Sequence, residues 1–509
     1  MTEFTHAQFT TDLNAIRQGK PNVVPHVVDG RRIFEGEVIY REDPAFPSAI
    51  VSGSHEASDA LVLEAVAASR KAQLEWDTVP LAERVRLVRK GIAFGESKLR
   101  DWTARLGVET GKTFGAARAE VLETLAFLKF YPDYADAPGA FEDERVLGAP
   151  DVCNQSVLRP YGVFGVITPF NYPMALSAGP AIAAVLAGNG AVIKSSHLGP
   201  WCGQAVYEMF EAMDLPTGLV NIVHGADAPG KALVNSSVDG MSFVGSVQTG
   251  LSIMRQFNAG PYPKPVIAEM GGKNPVIVTD SADLEAAADG IVFSSFDLIG
   301  QKCSALSRVL VTPGVHDRLV ELVEARLEGL KIADPAEADA FAGPLITKET
   351  VERFQRVVAS AREAGLRVAG GERVEAEGYF VKPVVISSLS ADHELSTREH
   401  FLPLVTISKV ASFDEALKAA NQLSVGLTAG IYTGDESEAQ TFLRRIEAGC
   451  VDVNIPGHAC TGWFPGPQTF GGWKASGSTG KQAYGKWYVQ QFAREQARKV
   501  PLHMRSLLD

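Results

Sequence analysis

Three short segments of the sequence combine a nucleophile, a base and an oxyanion donor. Cys303, in GQKCS, stands between an apolar helical stretch and a strand, and a thiolate there would be a strong nucleophile. Glu269, in AEMGGK, ends a predicted strand before two glycines, and a carboxylate in a partly apolar cleft can act as a general base towards water. Asn171, in TPFNYP, follows a buried strand. Its side-chain amide could stabilise a developing oxyanion by about 3 kcal/mol.

Each of these segments also has an ordinary structural interpretation. A lone Cys303 would more often be an inert buried thiol. Glu269 alone would more often be a solvated strand end, and the two glycines that follow it would form a turn. Asn171 would serve equally well as the N-cap of a helix that begins near Pro173. The functional interpretation therefore depends on finding the three segments together.

The elements around these segments predict an α/β fold. Residues 56–146 place apolar positions at helical spacing. From Tyr161 onwards, β-branched runs alternate with small-residue helical stretches, which implies crossover connections and a parallel, doubly wound sheet. Such sheets bind ligands beyond the carboxyl ends of their strands. A second α/β stretch begins after residues 271–272, the expected boundary between two lobes, and the tail from Tyr484 has the alternating pattern of an edge strand.

Composition excludes several other classes of protein. The 509 residues include 48 Lys and Arg and 60 Asp and Glu, a formal net charge of −12, which argues against nucleic-acid binding. The five cysteines are widely spread without a CxxC pair, so we expect a reducing compartment and no metal site. The N-terminal residues lack a secretory pattern, and the apolar tract 175–193 is interrupted by Gly, Pro and Asn. We therefore expect a cytoplasmic protein without a membrane span.

Five ordered motifs run along the chain, namely FNYP (170–173), FVGS (243–246), EMGGK (269–273), GQKC (300–303) and FGGWKASG (470–477). Their order and spacing resemble the aldehyde dehydrogenase superfamily, from about residue 25 to the C-terminus. The resemblance implies a Rossmann-type cofactor domain (residues 1–140 and 161–270) and an α/β catalytic domain (271–483). It also implies a small β oligomerisation arm (141–160 and 484–509) in a homodimer or homotetramer.

By this resemblance the chain is an NAD(P)⁺-dependent aldehyde dehydrogenase. Cys303 would attack the aldehyde carbon to form a thiohemiacetal, and Asn171 and the backbone N–H of Cys303 would stabilise its oxyanion. Hydride transfer to the nicotinamide would leave a thioester, from which water activated by Glu269 would release the acid. Covalent capture thus divides one difficult oxidation into two easier steps.

The resemblance also implies a set of cofactor contacts. Lys194 matches the lysine at the adenosine ribose, and Ser246 matches the serine at the pyrophosphate, where a helix N-terminus favours anions. Glu399 and Phe401 match the pair that holds the nicotinamide ribose and packs near its ring. The other expected contacts are Thr168, Pro169, Phe170, Ser196, His197, Gly225, Phe243, Gly245, Met270 and Gly271.

Three positions of the cofactor motifs depart from the family pattern. His197 replaces the glutamate that usually accepts the ribose hydroxyls and repels a 2′-phosphate, so we expect dual specificity or a preference for NADP⁺. Asp227 adds a carboxylate on the adenosine side, which opposes that effect. Leu402 replaces the common glycine after Phe401, with no assigned consequence.

The substrate side resembles, in part, the glutamate-semialdehyde (pyrroline-carboxylate) dehydrogenase branch, through GQKCS, EGYFVKP and FLKFYPDY. In that branch Ser304 and a later Gly-Ala pair hold the substrate carboxylate. The pair reads Gly462-Trp463 here, and an indole in place of a methyl group would crowd that anchor.

The aromatic residues near these motifs favour another substrate class. Four of them are candidates to line a tunnel for an apolar or aromatic aldehyde, namely Phe170, Phe296, Trp463 and Phe464. Two alternatives stay open: glutamate semialdehyde as the substrate, and, from ITPFN and FVGS, a CoA-acylating semialdehyde dehydrogenase. Retention of Glu269 favours hydrolysis over transfer to a thiol. No role is assigned to His224, His458 or Asp297.

Overall fold

The computed structural model describes residues 4–143, 145–147, 151–466 and 468–508. The predicted domains therefore include a few positions that lie outside the described residues, namely 1–3, 144, 148–150, 467 and 509. The α-helices are α1 (His6–Gln18), α2 (Asp59–Trp76), α3 (Leu81–Thr110), α4 (Phe114–Ala135), α5 (Ala175–Leu186), α6 (Pro200–Glu211), α7 (Ala228–Asn235), α8 (Val247–Phe257), α9 (Leu284–Phe296), α10 (His316–Glu328), α11 (Lys348–Glu363), α12 (Glu394–Thr397), α13 (Phe413–Asn421) and α14 (Glu436–Arg445).

The strands alternate with these helices from the middle of the chain onwards. They are β1 (Asn22–Val24), β2 (His26–Val28), β3 (Arg31–Ile33), β4 (Val38–Asp43), β5 (Phe46–His55), β6 (Val146–Leu147), β7 (Val152–Pro160), β8 (Val163–Ile167), β9 (Gly190–Lys194), β10 (Val220–Val223), β11 (Gly240–Gly245), β12 (Val266–Met270), β13 (Asn274–Val278), β14 (Leu306–Val311), β15 (Arg367–Gly370), β16 (Val384–Ser387), β17 (Leu404–Lys409), β18 (Val425–Gly426), β19 (Thr428–Tyr432), β20 (Cys450–Val453), β21 (Trp473–Lys474) and β22 (Ala493–Pro501).

The first large sheet has the strand order β12-β11-β8-β9-β10-β2-β3. Strands β8 to β12 are parallel and are connected through helices α5 to α8, which confirms the predicted doubly wound arrangement. The register pairs Ile167 with Lys194 and Gly245 with Met270. Because these residues end their strands, the loops that follow them emerge along one edge of the sheet.

The second large sheet has the order β15-β16-β17-β14-β13-β19-β20, and its strands are parallel except β15. The chain passes from the first sheet to the second between Met270 and Asn274. We call the parts of the molecule around these sheets the first and second lobes. The division into the predicted domains remains a proposal.

Helices α2 to α4 occupy most of the region predicted to be helical. They pack with α5 and α6 on the first sheet, and their large side chains Trp76, Trp102 and Tyr131 are fully buried there. The apolar tract at 175–193 divides into α5 and β9. Across the part of the chain that the structure describes, no helix is long and apolar enough to cross a membrane.

A third sheet has the strand order β22-β7-β6 and consists of strands from the two segments predicted to form the arm. Strand β22 pairs antiparallel with β7 along its whole length. The predicted edge strand therefore exists, but its predicted start at Tyr484 is wrong. Tyr484, Tyr488 and Phe492 are buried in the core of the first lobe. They belong to turns and a short 3-10 helix (Val489–Phe492) that precede the strand.

Candidate active site

A cavity of about 520 Å³ lies between the carboxyl ends of strands β8, β11 and β12 of the first sheet and the amino ends of strands β14, β17 and β19 of the second, and its volume suits a small-molecule site. It contains all three candidate catalytic residues. The lining consists of Ile167, Thr168, Pro169, Phe170, Asn171, Leu176, Asp227, Phe243, Val244, Gly245, Ser246, Thr249, Glu269, Met270, Gly271, Cys303, Arg353, Glu399, His400, Phe401, Leu427, Phe470, Ala483 and Tyr484.

Cys303 is held at this cavity by an irregular turn and by Asn274. After α9 ends, Leu298 and Ile299 both adopt left-handed backbone conformations, with φ of 53° and 50°, which are unfavourable for branched side chains. The side-chain amide of Asn274 donates to the carbonyls of Cys303 (2.8 Å) and Ala305 (2.9 Å). Together these features fix the backbone that carries the thiol.

The electrostatic surroundings keep the Cys303 thiol protonated at neutral pH. Burial raises its pKa to about 12, the Lys302 ammonium acts in the opposite direction, and the carboxylates of Glu399 and Glu269 raise the pKa further. Lys302 is itself paired with Asp297 at 3.2 Å. The nucleophile therefore becomes an anion only as the reaction proceeds, and Lys302 is the neighbouring cation that favours that anion.

Glu269 lies at the end of β12 with one carboxyl oxygen available. Its Oε2 is buried and has no hydrogen-bond partner among the described residues. Burial raises the pKa of Glu269 to about 8, and the backbone N–H of Gly472 opposes this shift. The FGGWKASG motif stabilises the end of β12 through two hydrogen bonds. The Ser476 hydroxyl donates to the carbonyl of Gly271 (2.8 Å), and the N–H of Met270 donates to the carbonyl of Ser476 (2.9 Å). A carboxyl with these properties suits a general base near neutral pH.

Asn171 borders the same cavity and is not used to cap a helix. Helix α5 begins at Ala175, and the Glu120 carboxylate accepts the N–H groups of Met174 (2.8 Å) and Ala175 (3.3 Å) at its start. The alternative interpretation of Asn171 as an N-cap is therefore wrong. Its amide makes no hydrogen bond with another residue in the described ranges and can donate into the cavity.

The other end of the cavity has the character of a nucleotide site. Ser246 caps α8, since its hydroxyl accepts from the N–H of Thr249 (3.2 Å). The first N–H groups of a helix attract phosphate. The cavity lining also includes Phe170 and Phe401, whose rings meet edge to face with centroids 6.0 Å apart. The cavity volume, the N-terminus of α8 and the pair of aromatic rings together fit a nicotinamide dinucleotide.

Most of the predicted cofactor contacts line the cavity, but the four residues predicted to lie near the adenosine do not. The residues on its wall are Thr168, Pro169, Phe170, Phe243, Gly245, Ser246, Met270, Gly271, Glu399 and Phe401, and those outside its lining are Lys194, Ser196, His197 and Gly225. Lys194 lies next to the cavity, because its carbonyl accepts from the N–H of Thr168 (3.3 Å). Ser196 accepts locally from the N–H of Leu198 (3.2 Å).

The predicted substrate contacts lie outside the cavity lining. Ser304 is buried. Gly462 is in the left-handed region (φ 85°), where an added Cβ would be 3.1 Å from the His458 ring. Trp463 packs against the core of the first lobe, and its indole N–H is buried without a partner among the described residues.

The predicted aromatic tunnel needs a correction. Phe170 lines the cavity, whereas Phe296 is fully buried in the core of the second lobe. Phe296 ends α9 on the face that packs against the second sheet, so its burial reflects core packing and the tunnel role is wrong. Phe464 is partly exposed and does not line the cavity.

Sequence reasoning missed several residues of the site. Arg353, on α11, reaches the cavity wall and donates to the carbonyl of His400. Tyr484 also lines the cavity, and its hydroxyl donates to Glu123 on α4, whose pKa burial raises to about 7. For Glu123, the sequence signal was a carboxylate within the apolar stretch EVLETLAFL, which indicates a buried polar group. Arg353 and Asn274 stand in ordinary amphipathic and strand patterns that carry no such signal.

Comparison with known proteins adds an independent line of evidence. Residues 35–497 match the family model described as Aldehyde dehydrogenase family. The 1-pyrroline-5-carboxylate dehydrogenase of Bacillus pumilus (strain SAFR-032) is 32% identical over 479 residues, which cover 93% of this chain and 92% of that protein. The 1-pyrroline-5-carboxylate dehydrogenase 2 of Bacillus subtilis (strain 168) is 32% identical over 491 residues, 94% of each.

Solved structures show the same similarity. A 1-pyrroline-5-carboxylate dehydrogenase from Thermus with bound NAD superposes with a TM-score of 0.92 at 30% identity and covers 98% of each chain. Lactaldehyde dehydrogenase from Escherichia coli gives a TM-score of 0.88 at 30% identity, over 95% of this chain and 100% of that one.

Proposed function

The chain belongs to the aldehyde dehydrogenase family, and from this premise we propose that it oxidises an aldehyde to a carboxylic acid with NAD⁺ or NADP⁺ through a covalent bond to Cys303. One observation carries the proposal: Cys303, Glu269 and Asn171 meet in one cavity whose other end is the N-terminus of α8.

In the first half-reaction, the Cys303 thiol gives its proton to solvent water and the sulfur attacks the aldehyde carbon. The negative charge moves from sulfur to the aldehyde oxygen, where the amide of Asn171 and the backbone N–H of Cys303 stabilise it. Lys302 favours the transient thiolate, since its cation lowers the pKa of Cys303. The product of this step is a thiohemiacetal on Cys303, which becomes a thioester on oxidation.

In the second half-reaction, Glu269 removes a proton from water while the water oxygen attacks the thioester carbon. The C–S bond then breaks, the carboxylic acid leaves, and the proton held by Glu269 passes to the sulfur, which restores the Cys303 thiol. The buried, unpartnered Oε2 of Glu269 supports this role. Because a hydrolytic base is present, we favour water over coenzyme A as the acyl acceptor.

The cofactor would lie between α8 and Glu399. Ser246 and the α8 N-terminus would hold its pyrophosphate, Glu399 its nicotinamide ribose and Lys194 its adenosine ribose. When bound, the nicotinamide supplies the acceptor for the hydride. The NAD-bound Thermus relative supports NAD⁺, whereas His197 in place of the family glutamate supports NADP⁺.

For the substrate, we favour an apolar or aromatic aldehyde. Phe170, Leu176 and Phe470 line the cavity that contains Cys303, and Lys302, the neighbouring cation, is already paired with Asp297. Glutamate semialdehyde is the second candidate. It is supported by the curated relatives named 1-pyrroline-5-carboxylate dehydrogenases.

For the assembly, we propose a homodimer or homotetramer in which the arm sheet β22-β7-β6 pairs with another copy. Val146 and Leu147 on β6 are exposed apolar residues at the edge of this sheet, and exposed strand edges favour pairing. The molecular mass of the full chain in solution, measured by light scattering, tests this proposal, and a monomer would contradict it.

The central test measures reduced-cofactor absorbance with short, acidic, long-chain and aromatic aldehydes, each with NAD⁺ and with NADP⁺. We expect oxidation by the wild-type enzyme without coenzyme A and none by Cys303→Ala. The matched control is Cys153→Ala, which removes a buried cysteine of the arm and should keep the activity. Full oxidation by Cys303→Ala, or aldehyde consumption without reduced cofactor, would disprove the proposal.

A further inference from the structure

The adenosine end of the proposed cofactor site contains a carboxylate from a distant part of the chain. Glu56 precedes α2, and its Oε2 accepts from the backbone N–H of Ala226 at 2.8 Å. The N–H of Ala57 donates to the carbonyl of His224 at 3.1 Å. These two bonds tie the segment before α2 to the loop that follows β10, although about 170 residues separate them in sequence.

Gly225 allows this close approach. Its backbone has a φ of 130°, and an added Cβ would lie 2.7 Å from Oε2 of Glu56. A larger residue would therefore displace the carboxylate. The same loop continues to Asp227, which lines the cavity at the end of the proposed cofactor site. Two carboxylates thus stand on the adenosine side.

Lys194 is the cation near these carboxylates. Lys194 is 7% exposed as a residue, and its side chain passes beside the start of α7, where its Cδ would be 3.9 Å from a Cβ at Gly230. Burial lowers the pKa of Lys194 to about 8, and the charges of Asp227 and Glu56 raise it. The ammonium forms no ion pair with another residue of the described chain, so it can donate to a bound ribose.

His197 does not add a second positive charge. Burial, Lys194 and Arg41 lower its pKa from the ordinary histidine value, and Asp227 and Glu56 oppose them. The ring is therefore neutral at neutral pH. The Arg41 guanidinium is buried and donates to the carbonyls of Glu109 and Ile346. A 2′-phosphate beside Lys194 would therefore face the carboxylates of Glu56 and Asp227, whereas a 2′-hydroxyl can donate a hydrogen bond to a carboxylate.

We infer that Glu56, together with Asp227, takes over the discriminating role of the ribose-binding glutamate that His197 replaces, so that the enzyme prefers NAD⁺ to NADP⁺. This inference rests on the proposed function. It reverses the preference that His197 alone predicts, because the compensating carboxylate comes from a different segment of the chain.

The test compares kcat/KM for NAD⁺ and NADP⁺ in the wild type, Glu56→Gln, Asp227→Asn and the double variant. Glutamine keeps an oxygen for the N–H of Ala226 and removes only the charge. We expect the wild type to favour NAD⁺ by more than about tenfold, and Glu56→Gln to reduce that ratio about tenfold. The double variant should reduce it further.

The control is Asp59→Asn, which removes one charge from an exposed position in the first turn of α2 and should leave the ratio unchanged. A wild-type preference for NADP⁺ would overturn the inference. An equal loss with both cofactors in Glu56→Gln would assign Glu56 a purely structural role and would overturn it as well.

A binding measurement separates this inference from the proposed function. Calorimetry with adenosine 5′-monophosphate and adenosine 2′,5′-bisphosphate needs no aldehyde turnover. We expect the monophosphate to bind the wild type more tightly and Glu56→Gln to reduce the difference. If the monophosphate binds more tightly but no aldehyde is oxidised, the inference is supported and the proposed function fails. If aldehyde is oxidised but the two nucleotides bind equally, the proposed function is supported and the inference fails.

Discussion

The two groups that we propose carry the reaction are both largely uncharged at neutral pH. Burial raises the pKa of Cys303 to about 12 and that of Glu269 to about 8. Their charges must therefore develop during the reaction, within a cavity where fixed dipoles and charges act more strongly than in water. Lys302 is placed to stabilise a thiolate and Asn171 to stabilise an oxyanion. The thiolate and the oxyanion thus each have a neighbouring group that stabilises their negative charge.

At the residue scale, we expect hydrolysis of the thioester to accelerate as the pH rises through about 8. Glu269 acts as a base only when ionised, and burial raises its pKa to about 8. Glu269→Gln should keep the rapid first burst of reduced cofactor and slow the following turnover by about 10²–10⁴, without this pH dependence. Stopped-flow absorbance across the pH range measures both phases. Loss of the burst would place Glu269 in the first half-reaction instead.

The elements bring these groups together because the carboxyl ends of parallel strands in the first sheet face the amino ends of strands in the second. Asn171 follows β8 and Glu269 ends β12 of the first sheet, whereas Cys303 precedes β14 of the second. Side-chain hydrogen bonds then fix the irregular backbone between the strands. Ser476 braces the end of β12, and Asn274 braces the turn that carries the thiol. The active-site geometry therefore depends on positioning residues that need not touch the substrate.

At the element scale, we expect Asn274→Ala to lower kcat by at least about tenfold and to destabilise the protein by about 1–3 kcal/mol. The substitution leaves the carbonyls of Cys303 and Ala305 without their donor, which frees the turn. Single-turnover kinetics and urea unfolding measure the two effects.

The matched control for this prediction is Asn421→Ala. Asn421 likewise donates to a carbonyl, that of Arg445 (2.8 Å), and accepts an N–H, that of Glu447 (2.8 Å), but it does not line the cavity. It should lose some stability with kcat unchanged. Equal kcat values in both variants would show that Asn274 does not position Cys303.

Two buried histidines stack in the first sheet, His26 in β2 and His224 directly after β10. The rings of His26 and His224 stack with centroids 5.8 Å apart, and the backbone N–H of His224 donates to Nδ1 of His26 at 3.1 Å. Burial lowers the pKa of His26 to about 4 and holds that of His224 well below its ordinary value. Both rings are therefore neutral in the folded protein at neutral pH.

At the scale of the whole molecule, we expect stability to fall as the pH drops from about 6.5 towards 4. In that range the unfolded chain binds protons that the buried rings exclude, and for His26 the loss reaches about 3 kcal/mol. Thermal unfolding between these pH values measures the effect. His26→Gln should flatten the dependence relative to the control His503→Gln, which changes an exposed residue. Identical profiles for both variants would contradict the prediction.

The sequence by itself determined the fold class, the family and the candidate chemistry. Strand and helix periodicity is a local property, so the doubly wound sheet and helices α2 to α4 were predictable. The motifs around Asn171, Glu269 and Cys303 were recognisable because catalytic turns need particular residues at fixed spacing. The meeting of Asn171 with Glu269 also follows from β8 and β12, whose carboxyl ends share an edge of the first sheet. Cys303 reaches them from the second sheet, at the amino end of β14.

Only the tertiary structure decided which distant residues complete the site. Glu56 approaches the loop at Gly225, Asn274 holds the turn of Cys303, and Arg353 reaches the cavity from α11. It also placed Phe296 in a core and buried Tyr484 before the arm strand begins. The physical reason is that a hydrogen bond or a charge acts through space, whereas sequence patterns report only which face of its own element a residue occupies.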